Sequence, residues 1–168
     1  MAASTFSREI IDEEFWDDYE KFVSRILLIP VPTLMYAGLG IIEESLEFFE
    51  SIKNRPYSLD NVKEGGDILY YIILLHMIRP HIFINMAPQG RPLENSDELV
   101  FKTARFSKYL SHFAHGRKGS DDFDKEAGEF MNRLLELIRN YCARPLEEVA
   151  KENIKKLTSR WSLTPAAL

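Results

Sequence analysis

Apolar side chains recur with helical spacing near the start of the chain. Large apolar residues stand three and four positions apart, which is the spacing of one face of an α-helix; they are Phe15, Trp16, Tyr19, Phe22, Val23 and Ile26. Pro30 and Pro32 follow them, and proline cannot continue a helix because it lacks an amide donor. The pattern predicts a first helix from about Asp12 to Leu28.

Proline, glycine and polar breaks divide the rest of the chain into five more helical segments. Runs of β-branched residues with a period of two are absent, so we expect an all-α protein, a helical bundle of about five to six helices. Residues 85–96 hold two prolines and a glycine and are predicted to form a loop. The other predicted helices run from about Thr33 to Asn54, from Ser58 or Asp60 to Arg79, from Asp97 to His115, from Asp122 to Tyr141 and from Pro145 to Arg160.

The predicted third helix contains the longest apolar run of the chain. Residues 68–75 have no polar stripe, and a helix that is apolar on all sides is buried. The run is too short to span a bilayer. A length of 168 residues fits one domain over 1–168, and residues 1–8 are expected to be a frayed tail.

Acidic residues stand three positions apart in two neighbouring predicted helices. Glu44 and Glu47 share one helix face, and Glu64 and Asp67 share another. Two antiparallel helices would bring these four carboxylates together, and four acids need a cation to offset their repulsion. Carboxylate oxygens suit Mg²⁺, with Mn²⁺ as a substitute. The alternative is a solvated acidic surface, but the apolar flanks favour a metal site, because an unpaired charge near the interior is unfavourable.

These acids resemble the EExxE…ExxD signature of the MazG-like all-α nucleotide pyrophosphohydrolases. The first motif is Glu43-Glu44-x-x-Glu47 and the second is Glu64-x-x-Asp67. Residues 153–161, NIKKLTSRW, are similar to the family's N-x-x-K-L-x-x-R-aromatic ending. The resemblance covers roughly residues 14–80 and 140–161, and the stretch between fits less well.

The resemblance implies a MazG-like fold and a Mg²⁺-dependent hydrolase. It would cleave an NTP or dNTP between the α- and β-phosphates, giving a nucleoside monophosphate and pyrophosphate, and would control a nucleotide pool. A cytoplasmic location is expected by default, because the chain shows neither a signal peptide nor an apolar run long enough to span a bilayer. The implied metal ligands are Glu44, Glu47, Glu64 and Asp67, with Glu43 and Glu47 as catalytic residues. The implied substrate-binding residues are Lys53, Asn153, Lys156, Arg160, Tyr71 and Trp16.

Several of these assignments have a structural alternative. Glu43 lies one helical step aside from the cluster, where it would bind a second metal, position the attacking water or be a solvated acid. Trp16 and Tyr71 are aromatic candidates for holding the base, although aromatic residues at helical spacing more often pack in a core. Lys156 and Arg160 would otherwise form a solvated basic face.

Residues 97–141 contain a weaker copy of the acidic pattern. Lys125-Glu126-Ala127-Gly128-Glu129 matches Lys63-Glu64-Gly65-Gly66-Asp67, but Phe106 and Tyr109 stand where Glu44 and Glu47 would. This segment is either a second, degenerate helical hairpin or a pair of ordinary amphipathic helices. Because a partner subunit commonly completes the family's bundle, we expect a homodimer, or a monomeric pseudo-dimer if the second hairpin replaces the partner.

Charge and cysteine content narrow the remaining possibilities. The net charge of −5 implies no general attraction to nucleic acid or to an anionic membrane. The single cysteine, Cys142, lies in a helical pattern and is predicted to be buried, and the N-terminus lacks the apolar core of a signal peptide. A catalytically degenerate nucleotide-binding or regulatory module of the same fold is the alternative function. No residue decides between bases, sugars or a hyperphosphorylated guanosine nucleotide.

Overall fold

The computed structural model describes residues 13–27, 33–117 and 120–160, and within them the chain is all-α, as predicted. No strand is present in these three stretches, and the predicted tail over residues 1–8 lies outside them. The six helices are α1 Glu13–Ile26, α2 Leu34–Asn54, α3 Leu59–Ile78, α4 Glu98–Ala114, α5 Ser120–Tyr141 and α6 Leu146–Arg160.

Helix α3 forms the centre of the bundle. It packs against α1, α2, α5 and α6. Six of its side chains are completely excluded from solvent, which confirms that the apolar run is buried; they are Ile68, Leu69, Ile72, Ile73, Leu74 and Leu75. Across the described residues, every helix falls short of the length and apolar character that crossing a bilayer would require.

Helices α2 and α3 form an antiparallel hairpin. Beside the turn, the Ser51 hydroxyl donates to the Asn61 side-chain oxygen at 2.7 Å. At the far end, the rings of Tyr36 and Tyr71 lie 5.8 Å apart. Helices α4 and α5 pack together as a second pair, and contacts of α2 with α4 and of α3 with α5 join the two pairs into a four-helix core.

Contact positions of the first hairpin recur in the second at a constant separation along the chain. Adding 62 to residues 36 and 71 gives 98 and 133, and Glu98 and Arg133 form a buried ion pair with contacts of 2.5 and 3.0 Å. Adding 62 to residues 51 and 61 gives 113 and 123, and the rings of Phe113 and Phe123 lie 5.1 Å apart. The duplicated hairpin stays a prediction, and this shared register supports it.

Two glycines in the first half of α2 accept close side-chain contacts. Glycine in a helix interior can weaken the helix or admit a neighbouring backbone, but α2 is continuous and its neighbours at both glycines are side chains. A Cβ at Gly38 would lie 2.5 Å from the Leu110 side chain, and one at Gly40 would lie 2.2 Å from the Tyr71 ring. Gly40 therefore allows Tyr71 to lie against the α2 backbone.

The helix ends differ from the sequence predictions by one or two residues. Helix α5 begins at Ser120, two residues before the predicted start. Helix α6 begins at Leu146, because the Pro145 carbonyl accepts from the Glu148 and Val149 amides at 3.0 and 3.3 Å and so precedes the first turn. The predicted ends of α1, Asp12 and Leu28, lie outside the described residues.

We expect Arg133→Met to lower the free energy of unfolding by roughly 3–5 kcal/mol, because it leaves the Glu98 carboxylate buried without its partner. The two side chains are 6% and 8% exposed, and Arg133 holds the pKa of Glu98 below its usual value. The matched control is Arg105→Met, since Arg105 also pairs with a glutamate but is 62% exposed. Urea unfolding measures the free energy of unfolding of both variants. Equal losses in the two would show that burial of the Glu98–Arg133 pair does not determine its contribution to stability.

Candidate metal and nucleotide site

Three predicted metal ligands come together between α2 and α3. Glu44 and Glu47 of α2 and Glu64 of α3 each place a carboxylate oxygen within 4.8 Å of the other two. Glu44 and Glu64 are half-buried, whereas Glu47 is exposed. We call these three residues the acid triad. It is the one group of three or more acids, histidines or cysteines with metal-ligand spacing in the parts of the chain that the structure describes.

Burial and repulsion from neighbouring acids oppose ionisation of two members of the acid triad, Glu44 and Glu64. Burial raises the pKa of Glu44 to about 7, and the charges of Asp67, Glu47 and Glu64 add to the shift while Lys156 opposes it. Burial also raises the pKa of Glu64, assisted by the charges of Asp67 and Glu47. A divalent cation bound to the carboxylate oxygens of the triad would relieve this repulsion and favour the ionised form of the acids.

The fourth predicted ligand, Asp67, lies outside the acid triad and has protein partners. One of its oxygens accepts from the Asn153 side-chain nitrogen at 2.9 Å, and the other accepts a hydrogen bond from the Lys156 ammonium group. Asn153 and Lys156, both predicted to bind substrate, therefore contact a predicted metal ligand. Asp67 is close enough to be the largest charge acting on both Glu44 and Glu64.

A hydrogen-bonded chain of three side chains links α1, α6 and α3 behind the site. The Tyr19 hydroxyl donates to the Asn153 side-chain oxygen at 2.9 Å, and Asn153 in turn donates to Asp67. Gly66 makes this possible, because a Cβ there would lie 2.9 Å from the Cβ of Asn153. Sequence spacing does not predict this link, since the spacing within one helix does not reveal which residue of a distant helix approaches it.

A cavity of about 160 Å³ adjoins the acid triad. Glu44, Asp67 and Arg160 line its polar side, and Ile26 and Leu157 contribute apolar surface. Since Glu44 belongs to both the cavity and the triad, the two are parts of one site. Of the predicted substrate-binding residues, Arg160 and Tyr71 line this cavity.

Three tyrosines form the aromatic wall of the cavity. The Tyr71 ring packs edge-on against Tyr36 at 5.8 Å and against Tyr70 at 5.0 Å. Burial, the largest cause, and interactions with Tyr36 raise the pKa of Tyr70 and of Tyr71 far above the ordinary phenol value. Sequence reasoning missed Tyr36 and Tyr70, although Tyr70 stands three residues after Asp67 on the same helix face.

The remaining predicted site residues lie away from the cavity. Trp16 is 3% exposed and packs edge-on against Phe15 and Tyr19 in the core, the more common role of such an aromatic. Glu43 is exposed and outside the acid triad. Lys53 is exposed in the last turn of α2, and six residues of helix place it about 120° round the axis from Glu47.

The corresponding position in the second hairpin has a different chemistry. Adding 62 to residues 43, 44 and 64 gives Arg105, Phe106 and Glu126. Arg105 donates to both oxygens of Glu126 at 2.7 and 2.5 Å, and Phe106 is 1% exposed in the core. An arginine and a buried ring thus stand where the first hairpin has two acids. Cys142, which directly follows α5, is 6% exposed, so its predicted burial is confirmed, and this burial raises its pKa to about 12.

A larger groove of about 710 Å³ lies between α1 and α6. Phe15, Phe22 and Ile154 supply its apolar surface, and charged side chains of both signs line it as well. No predicted site residue is among its lining residues. We place the candidate site at the smaller cavity, because that cavity shares a carboxylate with the acid triad.

Comparison of the chain with protein-family models, with curated proteins and with solved structures found no match. The assignment of a function therefore depends on the chemistry of the acid triad and the cavity. Three clustered carboxylates, next to an arginine and a lysine, can hold a divalent cation and an anionic group that shares it.

We expect Glu44→Gln to become more stable relative to the unsubstituted protein as the pH rises from 5 to 8 without divalent cations. Glu44 has its pKa raised to about 7 in the folded protein, so the folded state binds more protons than the unfolded state between about pH 4.5 and 7. Stability contributed by Glu44 is therefore lost as the pH rises through that interval, and glutamine does not titrate.

Urea unfolding at pH 5 and pH 8 in the presence of a chelator measures the difference between the two proteins. His76, whose pKa burial lowers, is present in both and cancels. A difference that does not change with pH would show that Glu44 ionises without opposition and that the acids do not repel one another as described.

Proposed function

We propose that the protein is a Mg²⁺-dependent nucleoside triphosphate pyrophosphohydrolase that releases pyrophosphate and a nucleoside monophosphate. The observation that carries the proposal is the acid triad at the mouth of a cavity whose lining includes Arg160 and three tyrosines. Carboxylates, a guanidinium group and aromatic rings are the groups needed for a metal ion, a polyphosphate and a base. The resemblance of the acid motifs to the MazG-like enzymes supports the same activity.

Glu44, Glu47 and Glu64 would hold the cation, and Asp67 would join them if it exchanged its contact with Lys156. When bound, Mg²⁺ neutralises phosphate oxygens and lowers the pKa of a bound water, and Mn²⁺ can substitute for it. Glu47, being exposed, is the triad member that an incoming polyphosphate meets first. Hydrolysis consumes one water and breaks the anhydride bond between the α- and β-phosphates.

Positive side chains would keep the acids from repelling the triphosphate. Arg160 lines the cavity and can offer two parallel N–H donors to phosphate oxygens. Lys156 bonds to Asp67, so a phosphate that drew it away would also free a carboxylate oxygen for the cation. Lys53 lies farther along α2 and would reach only the outer end of a bound polyphosphate.

Glu43 is proposed to position the attacking water or to bind a second cation, since it is exposed one residue before a triad member. The two hairpins supply a four-helix core within one chain, and on this basis we propose a monomeric pseudo-dimer in place of the family's homodimer. Control of a nucleotide pool is the proposed role.

Nucleotide binding without turnover is the second candidate function. The hydrogen bonds of Asp67 favour this function, because a carboxylate bonded to Lys156 and Asn153 is less available as a metal ligand. Metal-dependent binding of a nucleoside triphosphate, with no product released, would support this regulatory function over the enzyme.

We expect the first product released from a nucleoside triphosphate to be pyrophosphate. The proposed cleavage is at the α–β bond, and the chain has no glycine-rich phosphate loop that would hold a γ-phosphate for transfer. A panel of nucleotides incubated with Mg²⁺, without added pyrophosphatase, measures pyrophosphate against orthophosphate. Orthophosphate as the initial product would contradict the proposed reaction.

We expect Glu47→Gln to reduce pyrophosphate release by orders of magnitude and to leave the metal-free fold intact or more stable. The change keeps the shape of the side chain, removes one repelling charge and weakens the cation site, so the rise in melting temperature on adding Mg²⁺ should shrink. Glu50→Gln is the matched control, because Glu50 is an exposed acid on the same helix outside the triad.

Thermal melts with and without Mg²⁺ accompany the pyrophosphate assay for both variants. Glu50→Gln should match the unsubstituted protein in activity and in its response to Mg²⁺. If Glu47→Gln were active, melted lower without metal and responded normally to Mg²⁺, Glu47 would not be a ligand.

A further inference from the structure

The cavity beside the acid triad is about large enough to hold one six-membered ring. It encloses about 160 Å³, whereas pockets for drug-sized molecules run from about 300 to 1,000 Å³. An apolar cavity of about 150 Å³ is enough to bind one benzene molecule. A purine, with a fused second ring, needs correspondingly more room.

The wall of the cavity is braced against expansion. The Tyr71 ring packs against both Tyr36 and Tyr70, with interplanar angles of 62° and 82°, and it also lies against Gly40, where a Cβ would be only 2.2 Å away. Tyr71 therefore cannot move toward α2 unless that helix moves as well. Close packing of this kind transmits strain and resists small displacements.

The lining of the cavity combines neutral tyrosines with charged residues, one of which belongs to the acid triad. The tyrosine hydroxyl groups provide neutral donors and acceptors, which suit the carbonyl and amino groups on the edge of a base. Glu44 and Asp67 mark the end that leads to the acid triad, where Glu47 is exposed to solvent. A nucleotide with its base in the cavity would thus extend its phosphates over the triad.

We propose that this cavity selects nucleotides with a single-ring, pyrimidine base and excludes purines, and that Tyr36, Tyr70 and Tyr71 set this preference. The inference rests on the proposed function, since it names the substrate class of the same site. Tyr36 and Tyr70 act as specificity residues by limiting the room beside the base, and they take no part in bond breaking.

The first experiment compares hydrolysis of UTP, CTP and their deoxy forms with that of ATP, GTP and theirs. We expect kcat/KM to be at least about tenfold higher for the pyrimidine nucleotides, since misfits of one or a few atoms in a closed pocket give about 10- to 200-fold discrimination. Tyr36→Ala should enlarge the cavity and bring the pyrimidine-to-purine ratio toward one. Tyr57→Ala is the control, because Tyr57 is 63% exposed and packs on Tyr141 outside the cavity.

The second experiment measures binding of α,β-methylene analogues of UTP and ATP by calorimetry with Mg²⁺, which needs no turnover. Tighter binding of the UTP analogue, with the difference reduced in Tyr36→Ala or, if that variant does not fold, in Tyr70→Leu, would support the proposal. Pyrophosphate release with purines equal to or better than pyrimidines would overturn it and leave the proposed function standing.

The remaining outcomes separate the two proposals. A pyrimidine preference in binding with no hydrolysis of any nucleotide would overturn the enzyme and keep the base selection. Equal binding of the two analogues, or no binding of either, would overturn the base selection whatever the activity. If the pyrimidine-to-purine ratio were unchanged in the cavity-enlarging variants, the tyrosines would not be the residues that determine base specificity.

Discussion

Repulsion between like charges at the edge of an apolar core is the constraint on which the site depends. Two unit charges about 4 Å apart interact by about 4 kcal/mol under the effective screening found near protein surfaces. Each fully buried leucine or isoleucine contributes roughly 1.5–3 kcal/mol, and α3 alone buries six such residues. The apolar packing of α3 thus anchors one of the two helices that carry the acid triad, and a cation bound there would relieve the repulsion.

The position of Asp67 depends on helices far from it in the sequence. Asn153 and Lys156 of α6 fix both oxygens of its carboxylate, and Tyr19 of α1 fixes Asn153. Gly66 brings α6 close enough for these bonds to form. The consequence is a site in which three acids face one another while the fourth, Asp67, is oriented by hydrogen bonds from α6.

The sequence was sufficient for the helices, the buried run and the acid triad, because each depends on spacing within one helix or across one hairpin. The turn of the first hairpin is short, so Glu64 could only return to the level of Glu44 and Glu47. The tyrosine-lined cavity and the hydrogen bonds of Asp67 could not be predicted from the sequence, since they depend on how α1, α2 and α6 pack around α3. Gly40 shows the difference, because its contact with Tyr71 is set by rotation of two helices and leaves no periodic signal.

Because α3 is the central helix, the part of the site that it carries should resist local unfolding more than the rest of the site does. Amide hydrogens in a helix packed on four others exchange with solvent only when much of the protein unfolds, so Glu64 and Asp67 stand on a slowly exchanging element. Arg160 of α6, by contrast, is exposed to solvent. Hydrogen exchange should therefore find two carboxylates of the site on the most protected helix of the bundle, while the arginine that lines the same cavity is in contact with solvent.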